Sequence, residues 1–300
     1  MLTRRRFLLG ATVLGAQGMA PAFAQDKLKV IATFSILGDL VKNVGGDRVE
    51  VASLVGSNGD AHVYSPTPAD ARKLAEAKLV VVNGLGLEGW MTRLVKASGT
   101  KAPTIVASTG VKTRKMEDEH HGGRMVTDPH AWQSIANAKI YVANIRGGLA
   151  KADPAGTASY EANAAAYLAK LDELEKEVKA AIDKIPTDHR RIITTHDAFG
   201  YFGAAYGMEF VAPEGVSTES QASAKDVAKI IEQIRRLKIP AVFMESVSDP
   251  RLMQQIAKET GAKVGGTLYS DALSDEKGPA ATYIDMMRNN IRQFAAALMS

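Results

Sequence analysis

Three hundred residues with 46% apolar and 23% charged content can bury a sizeable core, and the length favours two domains. The formal net charge is +4, but residues 1–24 hold Arg4, Arg5 and Arg6, and the rest carries 34 Lys+Arg against 33 Asp+Glu, which argues against a large nucleic-acid footprint. There is no cysteine, so disulfide frameworks, thiolate metal sites and cysteine nucleophiles are excluded. At the start of the chain, three arginines run into the apolar stretch from Phe7 to Ala16, and Ala22-Phe23-Ala24 provides an A-x-A cleavage site. This pattern predicts a secretory signal peptide over residues 1–24. The paired arginines before Phe7-Leu8 resemble a twin-arginine signal, with an ordinary secretory signal as the alternative. The apolar run falls short of the ~20 residues a membrane span needs.

Beyond the leader, short apolar runs alternate with helical patterns. Strands are predicted at Leu28–Thr33, Val49–Val55, Leu79–Asn83 and Thr104–Ala107, with a helix at Ile36–Val44 and another starting at Thr67-Pro68, where Thr67 caps and Pro68 takes the first position. This β-α-β-α order implies a mostly parallel sheet flanked by helices. Residues 114–128 are polar and read as an exposed, mobile loop. From Tyr160, apolar residues recur at Ala164, Tyr167, Leu171, Leu174, Val178 and Ile182, in steps of four and three. That stripe predicts one helix from about Ala155 to Lys184, roughly 45 Å long and able to run beside two lobes. The α/β rhythm then returns, with strands at Arg191–Thr195, Ala241–Met244 and Val264–Leu268, and helices at Asp226–Lys238, Pro250–Thr260 and about Ala280–Leu298. The expected division is an N-terminal α/β lobe over 26–153, a linking helix over 154–185 and a C-terminal α/β lobe over 186–300.

Four residues stand out. His62 follows the second strand. His130 follows the polar segment. His196 and Asp271 each follow a strand of the second half. At least three of them lie at or beyond strand C-termini, the edge where open α/β sheets bind ligands. With two from each half, facing lobes would bring them to one cleft. Three imidazoles and a carboxylate suit Zn²⁺, and four protein ligands fill a tetrahedral shell, leaving no place for an activated water. Taken singly, each residue also fits a solvated loop histidine or a turn-forming aspartate. Glu245, just past an apolar strand, is placed to orient a ligand histidine from behind; Asp60, Asp128 and Asp197 are further candidates for that role. Gly84, Gly86 and Gly89 match a dinucleotide fingerprint in spacing but not in context, and His189 reads as surface.

Several segments resemble the metal-receptor solute-binding proteins (cluster A-I) of zinc and manganese ABC importers. They are His62-Val63-Tyr64-Ser65-Pro66, Asp128-Pro129-His130-Ala131-Trp132, Thr195-His196-Asp197-Ala198-Phe199-Gly200-Tyr201-Phe202, Val242-Phe243-Met244-Glu245-Ser246 and Tyr269-Ser270-Asp271-Ala272-Leu273. The resemblance covers residues 26–300. It implies two α/β lobes joined by one rigid helix, with the metal in the cleft held by His62, His130, His196 and Asp271. It also implies delivery to an inner-membrane permease driven by a cytoplasmic ATPase; with the leader and the charge balance, the expectation is a periplasmic monomer with no nucleic-acid partner, and the filled ligand shell favours a carrier over an enzyme. Zinc receptors of the family place His at the third ligand position where manganese receptors often place Glu, so His196 points to Zn²⁺, with Mn²⁺ or Fe²⁺ as the alternative cargo. The polar segment resembles the His-rich loop of zinc receptors. Glu117, Asp118, Glu119, His120 and His121 would form an auxiliary capture site or a contact for a periplasmic zinc chaperone; a solvated charged loop is the alternative. A zinc metallohydrolase using the same histidines is the competing class, although no H-E-x-x-H motif is present.

Overall fold

The computed structural model describes residues 26–118, 124–219 and 222–299. The signal-peptide reading and Glu119, His120 and His121 of the auxiliary segment lie outside the described residues. No helix among the described residues is long and apolar enough to cross a membrane.

The first lobe is built on β1 (Leu28–Phe34), β2 (Val49–Val55), β3 (Leu79–Val82) and β4 (Thr104–Val106), parallel in the order β2-β1-β3-β4. Leu79–Val82 is buried along its whole length, as a strand covered on both faces must be. Around the sheet pack α1 (Ser35–Gly45), α2 (Pro68–Glu76), α3 (Met91–Ser98) and α4 (Ile135–Ala152). At the start of α2, Thr67 and Asp70 form a reciprocal capping box with Pro68 at the first turn.

The polar segment departs from the sequence reading. Instead of a loop it forms an antiparallel hairpin of β5 (Lys115–Asp118) and β6 (Arg124–Thr127). Each strand is four residues long and mostly polar, so no hydrophobic alternation betrays it; pairing of Met116 with Val126 and a Lys115–Thr127 side-chain hydrogen bond of 2.8 Å tie the two strands.

The long helix is α5 (Thr157–Asp183), about 40 Å at ~1.5 Å per residue, and its predicted stripe from Tyr160 to Ile182 is buried. It packs on α1 and α4 of the first lobe and on α6 (Gly200–Tyr206) and α9 (Tyr283–Leu298) of the second. The second sheet, also parallel, orders β10 (Lys263–Leu268), β9 (Ala241–Glu245), β7 (Arg191–Ile193) and β8 (Glu209–Val211), with α7 (Ala224–Leu237) and α8 (Pro250–Thr260) packed on it. A main apolar core runs from the first sheet through α5 to α9, and a second cluster around Ile193, Ile230, Val242 and Ile256 fills the space beneath α7 and α8.

Candidate metal centre

Three loops at strand C-termini and one segment after the hairpin deliver the predicted residues to a single point. His62 follows β2, His196 follows β7, Asp271 follows β10 and His130 follows β6. One donor atom from each lies within 4.8 Å of every other, and all four side chains are buried. His62 Nε2 is 3.1 Å from His130 Nε2 and 3.2 Å from Asp271 Oδ2. His196 Nε2 is 3.0 Å from Asp271 Oδ2, and His130 Nε2 is 3.6 Å from Asp271 Oδ1. A tetrahedron with bonds of ~2.0–2.2 Å has edges of ~3.3–3.6 Å, so these separations are within a few tenths of an ångström of a zinc-sized shell.

Local sequence builds the ligand loops. His62 and His130 each stand two residues after an aspartate, and each backbone N–H donates to that carboxylate: His62 N to Asp60 Oδ1 at 2.8 Å, His130 N to Asp128 Oδ1 at 2.9 Å. Asp128 Oδ1 also meets His130 Nδ1 at 3.0 Å, directing Nε2 to the cluster. Asp60 instead turns Oδ2 across the cleft to accept from Thr218 Oγ1 at 2.6 Å. Glu245, the last residue of β9, accepts from the backbone N–H groups of Thr195 and His196 at 2.8 and 2.9 Å and sets Oε2 2.8 Å from His196 Nδ1. Asp197, directly after His196, is close enough to Asp128, His130 and His196 to interact with their charges, burial and Asp128 pushing its pKa up to about 6. It also lines a cavity of about 250 Å³ beside Gly215, while His189 is half-buried with Nδ1 2.8 Å from Leu298 O. The Gly84–Gly89 loop is occupied by its own anion, since Glu88 accepts from Asn83 N, Gly84 N and Thr33 Oγ1.

Electrostatics follow from this packing. Burial alone would lower the His130 pKa, but the carboxylates of Asp271 and Asp128 outweigh it and push it up to about 9. His196 is likewise raised well above the ordinary imidazole value, burial being overridden by Glu245 and Asp271. Burial would raise Asp271; His196 and His130 instead hold it well below the carboxylate range. The buried Oδ1 of Asp271 has no hydrogen-bond partner among the described residues, which leaves a lone pair directed at the imidazoles. Sequence reasoning missed Thr218 and Gln133, whose contacts cross between lobes and which nothing in their local sequence marks; Trp132 stands in a quoted family segment, but its bond across the lobes was not foreseen.

Two parallel α/β sheets, a long helix shared between them and a buried His₃Asp cluster in the interlobe cleft define a two-lobed metal-binding receptor. The model of the ZnuA family, zinc-uptake complex component A, periplasmic, matches residues 30–297, and the chain belongs to that family. Similar proteins include the manganese ABC transporter substrate-binding lipoprotein PsaA of Streptococcus pneumoniae, 34% identical over 297 residues (97% of this chain, 95% of that one). The iron-binding protein YfeA of Yersinia pestis is 36% identical over 275 residues (92% and 88%). Among solved structures, the periplasmic zinc-binding protein TroA from Treponema pallidum superposes with a TM-score of 0.85 at 30% identity, covering 92% of this chain and all of that one. The manganese-bound periplasmic metal-binding protein from Candidatus Liberibacter asiaticus gives 0.80 at 32%, covering 91% and 100%. Family members are solute-binding receptors of ABC transporters, not enzymes.

Proposed function

We propose that this protein is the exported receptor of an ABC importer, that it captures Zn²⁺ with His62, His130, His196 and Asp271, and that it hands the ion to an inner-membrane permease powered by a cytoplasmic ATPase. The observation that carries this reading is the convergence of one donor atom from each of three buried imidazoles and one buried carboxylate, all within 4.8 Å of one another and four of the pairs at 3.0–3.6 Å. Two of the imidazoles have Nδ1 against a carboxylate, which frees Nε2 to ligate. Four converging protein donors favour carriage over hydrolysis, because they occupy the positions a metal-bound water would need.

A second reading, Mn²⁺ or Fe²⁺ as cargo, is supported by the names of the similar proteins and by the carboxylate geometry. Oδ1 and Oδ2 of Asp271 both face imidazoles, a pose that allows bidentate, five-donor coordination. Elemental analysis of the exported protein, with calorimetric competition between Zn²⁺ and Mn²⁺, tests both. Zinc at one per chain with tighter binding supports the first reading, manganese or iron in its place supports the second, and no stoichiometric transition metal would overturn both.

The division into 26–153, 154–185 and 186–300, the monomeric state and the cleaved leader belong to the same proposal. These 300 residues contain no cysteine to carry a thioether-linked lipid, which supports a cleaved leader over a lipid anchor. Residues 117–121 serve as an auxiliary capture segment, open to a zinc chaperone. Their deletion should lower zinc stoichiometry or slow transfer in a calorimetric titration, and unchanged values would remove that role.

A further inference from the structure

Asp271 belongs to the second lobe by sequence, and Tyr269 before it exchanges hydrogen bonds of 2.9 and 2.7 Å with Asn290 of α9, yet its neighbours Ser270 and Leu273 are fastened to the first lobe. The carbonyl of Ser270 accepts from Trp132 Nε1 at 2.8 Å and from Gln133 Nε2 at 2.7 Å. Two residues past Asp271, Leu273 N donates to Ser35 Oγ at 2.9 Å, and Leu273 O accepts from Asn58 N at 2.8 Å. Trp132, Gln133, Ser35, Ser270 and Leu273 are all buried, so parting these groups would leave desolvated donors and acceptors unpaired. Leu268 and Leu273 also belong to the main core, shared with α1 and α5.

His196 is fastened to a different body. Thr195 and His196 donate their N–H groups to Glu245, Thr194 N donates to Val211 O, Glu214 N to Thr195 O and Asp197 N to Gly215 O. All of these partners lie in the second lobe, and Ile193, just before the loop, packs in the separate cluster with Ile230, Val242 and Ile256. The following helix α6 does lean on the first lobe, through Tyr201 OH to Asp128 O and Ile135 N to Tyr206 OH, and Ala198-Phe199 separates it from the ligand loop.

We propose that His62, His130 and Asp271 form a standing three-donor half-site carried by the first lobe, with Ser35, Trp132 and Gln133 as its positioning residues, and that His196 joins last on capture and leaves first on release. The proposal rests on the metal-receptor reading above and adds an order of events to it. Two imidazoles and one carboxylate are a facial donor set that divalent transition ions accept with positions left open. An opened cleft therefore retains the ion while exposing one side of it for transfer.

Cobalt(II) titration of the full processed protein, read by visible absorption, tests this. His196→Ala should still take up one Co²⁺ per chain, with a spectrum that shifts on adding azide, and Asp271→Ala should bind at least tenfold more weakly than His196→Ala. Gln133→Met and Ser35→Ala, which touch no ion, should each speed Co²⁺ dissociation about three- to tenfold, the size of one buried hydrogen bond. Equal losses in His196→Ala and Asp271→Ala would overturn the half-site, and unchanged dissociation in both other variants would overturn the positioning role. Failure of the unmodified protein to bind Co²⁺ would instead sink the metal reading underneath. Should the variants not fold, hydrogen exchange on the unmodified protein decides. Leu273 N–H should stay protected with and without Co²⁺ while Thr195 and His196 N–H lose protection on metal removal, and joint loss at Leu273 would overturn the proposal.

Discussion

Replacing Glu245 with Gln separates the charge of this residue from its shape. Oε1 of Glu245 accepts from two backbone N–H groups, Thr195 at 2.8 Å and His196 at 2.9 Å, and Oε2 faces His196 Nδ1 at 2.8 Å. In Glu245→Gln, the amide oxygen must take the Oε1 place, because both partners there are donors. The amide nitrogen is then forced against His196 Nδ1, which must become an acceptor. That moves the ring proton to Nε2, the atom 3.0 Å from Asp271 and aimed at the ion. Zinc binding would have to reverse the tautomer against an N–H to N–H clash, so affinity should fall by about 10–100-fold, or about 1.4–2.7 kcal/mol. Asp128→Asn provides the contrast. One oxygen, Oδ1, serves both His130 N and His130 Nδ1, so an asparagine can present its carbonyl to both and keep the tautomer. It should cost less affinity than Glu245→Gln. Chelator-competition titration with Zn²⁺, alongside melting of the metal-free variants, measures this. Loss of less than threefold in Glu245→Gln, or a larger loss in Asp128→Asn, would refute the tautomer argument.

Other expectations are simpler. Affinity for Zn²⁺ should rise with pH towards about 9 and fall on acidification, because the ion displaces protons that Asp271 and Asp128 hold on His130; a pH-independent calorimetric affinity would contradict this. Asp70 is buried, which would raise its pKa, but hydrogen bonds from Thr67 and Tyr64 bring it down to about 2 from 3.8. A depressed carboxyl stabilises the fold above its unfolded pKa, and that contribution is lost as pH falls through the folded value, so Asp70→Asn should cost about 1–2 kcal/mol at pH 7 in urea unfolding and progressively less as pH falls from about 4 to about 2. A Cβ at Gly203 would lie 2.5 Å from the backbone oxygen of Met208, so Gly203→Ala should destabilise the protein by about 1–3 kcal/mol in urea while leaving metal stoichiometry unchanged. Zinc at about 1,000 times its Kd should add about 4 kcal/mol of apparent stability, reversed by chelator in a thermal melt.

What the sequence made legible was whatever has a local period or a local partner. The α5 stripe, the buried run Leu79–Val82 and the Thr67-Pro68 cap each announce themselves within one element. The cluster was legible because three of its ligands follow strand ends. Short elements without an apolar run of their own were not: β4 and β7 were read from their runs, but α6 is seven residues of glycine, alanine and aromatics, and β8 is three residues that among the described residues pair with β7. Both are fixed by tertiary packing, with Phe199 and Phe210 stacked at 5.0 Å and both against Phe294 of α9. The same limit hid the bonds from Trp132 and Gln133 to Ser270, which join positions 138 and 137 residues apart. Equal division of the ligands between halves, natural from sequence order, overlooks these bonds.

The buried charges also bear on which ions the cleft accepts. Asp271, Asp128 and Glu245 place three carboxylates within or directly behind the ligand shell, all buried. Arg114 lies 3.7 Å from Asp128 and contributes one positive charge from a part-exposed position. Asp60 behind His62 and the part-buried Asp197, which interacts with Asp128, His130 and His196, add further negative charge, so the cleft favours a multiply charged cation. A monovalent ion would leave more of that buried negative charge uncompensated, which is costly in a low-dielectric interior. Protons on His130 and His196 offset part of that charge when no ion is bound, in keeping with their raised pKa values. A metal ion therefore competes with protons for these two imidazoles, so acidification should favour release.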